Sequence, residues 1–231
     1  MEAKKSKMDV IVTGGLSGIG ESVVTRLMDQ ENECKYVYGV DQKGTVECDV
    51  RDYGSVASVM KTLISEKHTD QRFGLVSSAG VYIPKPFLEQ TEEDIRCVLE
   101  TNLLGTLFVC HAFLNRLKEI NTTQKHRIVL IGSISCFYPG GENMLTYDAS
   151  KAGLMQVVKD LASYKDLLSV NMLCPGTVME TGIGGMDAQG KPDRTPKAIV
   201  NDSQMVDAAR GFAVEKTEVA AMVCDMLFRW A

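Results

Sequence analysis

The chain has 231 residues, 45% of them hydrophobic and 24% charged, the balance of a globular domain rather than of a disordered or fibrous chain. A formal net charge of −5 argues on electrostatic grounds against nucleic acid or an anionic membrane as the main partner. No apolar run is expected to reach the roughly 20 residues that cross a bilayer, and the polar opening MEAKKSK does not resemble a signal peptide.

Seven scattered cysteines (Cys34, Cys48, Cys97, Cys110, Cys136, Cys174 and Cys224) include no C-x-x-C pair, which points to free thiols in a reducing compartment and a cytoplasmic protein. His68, His111 and His126 lack metal-ligand spacing, so no metal site is expected.

Along the chain, apolar runs of strand length alternate with helical spacing. MDVIVTGG (8–15) is a β-rich run ending in glycines, and GIGESVVTRLMDQ (18–30) places Ile19, Val23, Val24 and Leu27 on one side of a helix. KYVYGVD (35–41) and TVECDV (45–50) read as strands joined by a connection too short for a helix of normal length. A helix over about 55–66 precedes the strand FGLVSSAG (73–80). The run 91–120 is a long helical pattern opened by a capping box from Thr91 to Asp94. RIVLIGSIS (127–135) reads as a strand, YDASKAGLMQVVKDLAS (147–163) as a helix, and LSVNMLCPG (168–176) as a strand stopped by Pro175. The alternation predicts one α/β domain over 1–231, a Rossmann-like doubly wound parallel sheet with helices on both faces. Residues 1–7 are expected to be a flexible N-terminus. Residues 182–212, rich in Gly, Asp and Pro, are expected to be a substrate-binding lid segment.

TGGLSGIG (13–20) joins the first strand to the first helix. Gly14, Gly18 and Gly20 suit a tight turn, close approach of a pyrophosphate and close helix–strand packing, and helix-start N–H groups at Ser17, Gly18 and Ile19 would meet phosphate charge. Asp41 ends the second strand, where a carboxylate accepts hydrogen bonds from an adenosine ribose diol and repels a 2′-phosphate. NAD is therefore expected over NADP, although Lys43 stands close enough to offset part of that charge.

Tyr147 and Lys151 fall one helical turn apart on one face. An unperturbed tyrosine titrates near pH ~10, too high for a proton relay at neutral pH. An ammonium within a few ångströms stabilises the phenolate and is expected to lower that value. The plain alternative is a solvated helix face.

Together, T-G-x-x-x-G-x-G from Thr13 to Gly20, Y-x-x-x-K from Tyr147 to Lys151, and a serine at an upstream strand end resemble the short-chain dehydrogenase/reductase family over nearly the whole chain. The resemblance implies Ser133 as the catalytic serine, with Ser135 the alternative, and Asn102 of N-x-x-G as the catalytic asparagine. It implies cofactor contacts from Asp49 and Val50 near the adenine, from Ala79 and Gly80 of SSAG, and from Pro175, Gly176, Val178 and Thr181 near the nicotinamide. Asn102, Tyr147 and Lys151 would touch the cofactor as well. The implied activity is hydride transfer between NAD and an alcohol or carbonyl substrate, with Tyr147 exchanging the proton.

Three departures stand against the pattern. Gly132 replaces a serine, two serines replace the asparagines before Ala79, and the sheet is expected to lack the family's usual last strand and tail, which favours a homodimer through the 91–120 and 147–163 helices over a tetramer. A non-catalytic NAD-binding sensor or scaffold is the rival reading. Cys136 reads as a small apolar filler beside the site.

Overall fold

The computed structural model describes residues 7–66, 69–178, 181 and 214–229. Alternation along three central strands divides the core. Met8, Val10 and Val12 of β1 (Met8–Thr13), Val76 of β4 (Arg72–Ser77), and Val129 and Ile131 of β5 (His126–Ile131) face one side. Ile11, Phe73, Leu75, Ile128 and Leu130 face the other. Strands buried on both faces are what a parallel sheet covered by helices requires.

The remaining strands are β2 (Cys34–Asp41), β3 (Val46–Glu47) and β6 (Leu168–Leu173). All six pair in parallel in the order β3-β2-β1-β4-β5-β6. Helices α1 (Gly18–Met28) and α6 (Lys216–Phe228) pack on the first face. Helices α2 (Tyr53–Leu63), α4 (Gly105–Glu119) and α5 (Leu145–Leu161) cover the second. Strand order reverses beside β1, where β2 leaves to one side and β4 to the other, so a crevice opens above the strands' carboxyl ends. The expected Rossmann-like sheet is present. Among the described residues β3 and β6 are its two edges.

Several element boundaries differ from expectation. The strand expected over 45–50 shrinks to two residues, because Cys48 donates to the Asp41 carbonyl at 2.8 Å and the chain then turns toward α2. Helix α2 starts at Tyr53, since Asp52 caps it by accepting from the Gly54 N–H at 2.8 Å. The capping box at Thr91 and Asp94 is formed and opens α3 (Glu92–Leu99).

The continuous helical run Glu92–Glu119 is, contrary to expectation, long and apolar enough by length and composition to cross a membrane. In this fold it lays Val109, Cys110, Ala112, Phe113 and Leu117 against the sheet. It is also not uniformly α-helical: Glu100–Leu104 is a π turn centred on Asn102. The proposed lid, 182–212, lies outside the described residues.

Candidate active site

A cavity of about 460 Å³ opens above the switch point. The glycine loop forms one wall, with Gly14, Ser17, Gly18 and Ile19 in the lining. Gly14 has φ +65°, and a Cβ there would come within 2.8 Å of the Ala79 Cα, so the loop can lie this close to the end of β4 only with glycine in place. Gly18 has φ +52°, and a Cβ there would meet the Thr181 carbonyl oxygen at 2.9 Å. That contact sets Thr181 over the loop. Gly20 packs against the Gly14 backbone behind the lining.

Asp41 lines the crevice and accepts from the Leu16 N–H at 3.2 Å and the Gln42 N–H at 2.8 Å. One carboxylate thus fixes the glycine loop while facing the site. Val50 and Arg51 line the same end, but Asp49 does not. Arg51 holds the Asp49 carboxylate through its Nε and Nη2, the latter at 2.6 Å, and keeps that carboxyl down at about 2.

Ala79 and Gly80 line the crevice beside Ser78. Where the two serines stand in place of asparagines, other groups supply the hydrogen bonds. The Thr13 hydroxyl accepts from the Ser78 N–H at 3.2 Å and the Ala79 N–H at 3.4 Å, and Ser77 bonds Thr106 at 3.3 Å.

Asn102 lies one layer behind the lining and is fully buried. Its Oδ1 accepts from the Val81 N–H at 2.8 Å, and its Nδ2 donates to the Val81 carbonyl at 2.9 Å and the Ser150 hydroxyl at 3.0 Å. Its side chain therefore clamps the segment after β4 to α5. The π turn is the backbone form that faces the amide inward, and such turns recur at functional sites.

Ser133, Tyr147 and Lys151 all line the cavity. Of the two candidate serines, Ser133 is the one that acts on the Tyr147 phenol, pulling against the upward push of burial. Ser135 also lines the crevice, and its N–H donates to the Ser133 hydroxyl at 3.1 Å. The Lys151 Nζ donates to the Ile131 carbonyl at 2.8 Å and stands 5.7 Å from the Tyr147 ring centre.

The expected lowering of the tyrosine by the lysine does not occur in the protein's own field. Burial dominates and pushes Tyr147 up to about 12, and the same burial brings Lys151 down to about 8.

Pro175, Gly176 and Val178 complete the wall, and the Pro175 carbonyl accepts from the Ile134 N–H at 2.8 Å. Sequence reasoning missed Arg51, Tyr82, Met144 and Ser150. Tyr82 packs edge-on against Tyr147 with ring centres 5.5 Å apart, and Met144 lines the same end. Only their nearness to SSAG and YDASK could have signalled them. Among the described residues no His, Cys, Asp and Glu cluster is arranged to hold a metal.

The family model for short chain dehydrogenases matches residues 9–191. The chain belongs to the short-chain dehydrogenase family. It is 28% identical to oxidoreductase UcpA of Salmonella typhimurium over 236 residues, covering 93% of this chain and 86% of the relative. It is 27% identical to a 3-oxoacyl-(acyl-carrier-protein) reductase of Bos taurus over 227 residues, covering 92% and 93%.

Among solved structures, an actinorhodin polyketide ketoreductase variant with NADPH superposes with a TM-score of 0.75 at 23% identity, covering 99% of this chain and 93% of that one. The aldohexose dehydrogenase of Thermoplasma acidophilum superposes with 0.74 at 20% identity, covering 97% and 88%. These two likenesses carry the fold.

The residues of this short-chain dehydrogenase fit the nicotinamide dinucleotide its family binds. Ser17 makes no side-chain cap bond to α1, so the N–H groups of its first turn lack an intrahelical acceptor beside the cavity lining at Ser17, Gly18 and Ile19. A helix start of this kind attracts a diphosphate.

Proposed function

We propose that this short-chain dehydrogenase is an NAD(H)-dependent oxidoreductase that interconverts a secondary alcohol and a ketone. The observation that carries the reading is the convergence of Ser133, Tyr147 and Lys151 on the lining of one cavity, with the ammonium beside the ring. A bound nicotinamide supplies the hydride donor or acceptor.

Ser133 holds the substrate oxygen, and Tyr147 gives or takes its proton. With its phenol pushed up to about 12 by burial, Tyr147 carries its proton at neutral pH and is poised as the donor when a carbonyl is reduced. Lys151 contributes its ammonium, fixed against the Ile131 carbonyl. Asn102 acts as a positioning residue by holding Val81 and Ser150. Tyr82, Met144 and Ile134 in the lining support a mostly apolar substrate.

Asp41 favours NAD. Arg51, the cation lining the cavity at this end, is committed to Asp49, which leaves it poorly placed to receive a 2′-phosphate. Exposed Leu104, which ends the π turn, and exposed Leu107 on α4 support a homodimer through that helical run. The test is a cofactor-coupled screen over secondary alcohols and ketones with both dinucleotides in parallel. Turnover with NAD that Tyr147→Phe abolishes is the expected result; equal turnover by that variant overturns the mechanism.

A further inference from the structure

Behind the Ser133 wall two thiols meet. Cys136 ends the 3₁₀ turn Ile134–Cys136 that follows β5, and Cys174 is the first residue after β6. Both are free, and their Sγ atoms are 3.9 Å apart. The Cys136 thiol also donates to the Lys151 carbonyl at 3.1 Å. Both are partly exposed, whereas Cys34, Cys48, Cys110 and Cys224 are buried. The third partly exposed thiol, Cys97, belongs to α3 and lines the cavity. The Cys174 thiol donates to Cys136 and holds it below its ordinary range, and the Lys151 charge acts in the same direction. A thiol with thiolate character, partly exposed and beside a second thiol, is the arrangement of a redox-sensitive pair.

We propose that Cys136 and Cys174 are a modification site, oxidised by a hydroperoxide to a reversible disulfide that impairs the crevice. Cys136 sulfur attacks the peroxide: an S–O bond forms, the O–O bond breaks, and an alcohol or water leaves with the proton. Cys174 sulfur then attacks the sulfenic sulfur: the S–S bond forms, the S–O bond breaks, and water leaves. Two thiols lose two electrons and the peroxide gains them. A dithiol reverses the step.

Closing 3.9 Å to a bond of about 2 Å pulls on both walls of the site. The Cys136 N–H donates to the Ser133 carbonyl at 2.9 Å, and the Ile134 N–H to the Pro175 carbonyl at 2.8 Å, so the strain reaches Ser133 and Pro175 directly. The bond from Cys136 to the Lys151 carbonyl is lost as well. This consequence for activity rests on the proposed function; formation of the disulfide does not.

The test treats the reduced full chain with hydrogen peroxide and follows intact mass, peptide links, NADH binding and cofactor-coupled turnover. Expected are a loss of two hydrogens, a 136–174 link reversed by dithiothreitol, and turnover lower by ~10-fold or more, since displacing positioned groups by about an ångström costs at least that much. Cys174→Ser should turn over normally when reduced, form no link, and stop at a trappable Cys136 sulfenic acid. Peroxide that links other cysteines, or that leaves both thiols alkylatable, overturns the site. A 136–174 link with unchanged turnover and NADH affinity overturns its effect on the crevice. A chain with no turnover even when reduced overturns the proposed function instead, while the mapped link still decides the disulfide.

Discussion

The Lys151 ammonium is buried 2.8 Å from the Ile131 carbonyl and 5.7 Å from the centre of the Tyr147 ring. Burial lowers the lysine from 10.5 to about 8, so the folded chain carries a cost for the buried charge on the order of 3 kcal/mol at neutral pH. For a base whose folded value is depressed, that cost is present below pH 8 and fades as pH rises toward 10.5. Lys151→Met should therefore unfold at higher urea than the parent at pH 7 while losing turnover, a stability–activity trade. The gap in stability should narrow between pH 8 and 10.5. A less stable variant, with a gap independent of pH, would refute this.

Tyr147→Phe removes the proton donor and leaves the walls in place. Turnover should fall by roughly 10²–10⁴-fold, the range for loss of a general acid, with NADH affinity changed by less than ~3-fold. Because the phenol is held at about 12 and Lys151 at about 8, the reductive rate of the parent should decline above about pH 8, where the lysine is first to lose its proton. Steady-state rates from pH 6 to 10 check the profile. A decline centred near neutrality would place the titrating group elsewhere.

Asp41 has two tasks that substitutions can separate. Asp41→Asn keeps an acceptor for the Leu16 N–H but removes the charge. NAD affinity should weaken by ~10-fold, and the preference over NADP should shrink by a similar factor, from loss of a charged hydrogen-bond acceptor. Asp41→Ala should weaken both dinucleotides further, because the glycine loop loses its tie. Parallel titrations with NADH and NADPH read both effects, and an undiminished NADH preference in the Asn variant would refute the assignment.

Asn102→Ala leaves the Val81 N–H and carbonyl and the Ser150 hydroxyl without their amide partner. The expected loss of stability is about 3 kcal/mol, from polar groups left unsatisfied. Asn102→Asp should recover the bond from the Val81 N–H and lose the two donated ones. Urea unfolding of both variants checks the order, and equal stability of parent and Ala variant would remove the clamp.

What was legible from residues was whatever repeats locally or carries a fixed spacing. The buried runs at 8–13, 72–77 and 126–131 announced the central strands, and the loop from Thr13 to Gly20 announced its own turn, because glycine is required where φ is positive. The Tyr147–Lys151 pair was visible through helical period. The balance between burial and charge was not, since it depends on how deeply the fold seats both groups, and at Tyr147 desolvation dominates. The π turn at Asn102 was hidden for the same reason: it follows from Val81 and Ser150, 21 and 48 positions away. Arg51 drew no reading from the sequence, and its grip on Asp49 appears only when β3 ends early.

His126 lies at the far end of β5 from the site and gives the fold a test of its own. Its Nδ1 accepts from the Phe73 N–H at 3.1 Å, which puts the proton on Nε2, and that atom is buried without a partner among the described residues. The ring stacks on Phe73 at 5.8 Å and meets the edge of Phe113 at 6.4 Å. Burial, then the Arg72 charge, pushes it down to about 4. The unfolded chain takes up this proton near pH 6.5 and the folded chain only near 4, so stability should be lost as pH falls through that window, by about 1.4 kcal/mol per unit. Asp49, held at about 2, loses its own contribution only below its ordinary value of 3.8, so the windows separate. Urea unfolding at pH 7, 6 and 5 should show the slope, and His126→Asn, which keeps an acceptor for Phe73, should flatten it despite a lower baseline. An unchanged slope in that variant would assign the acid sensitivity to other groups.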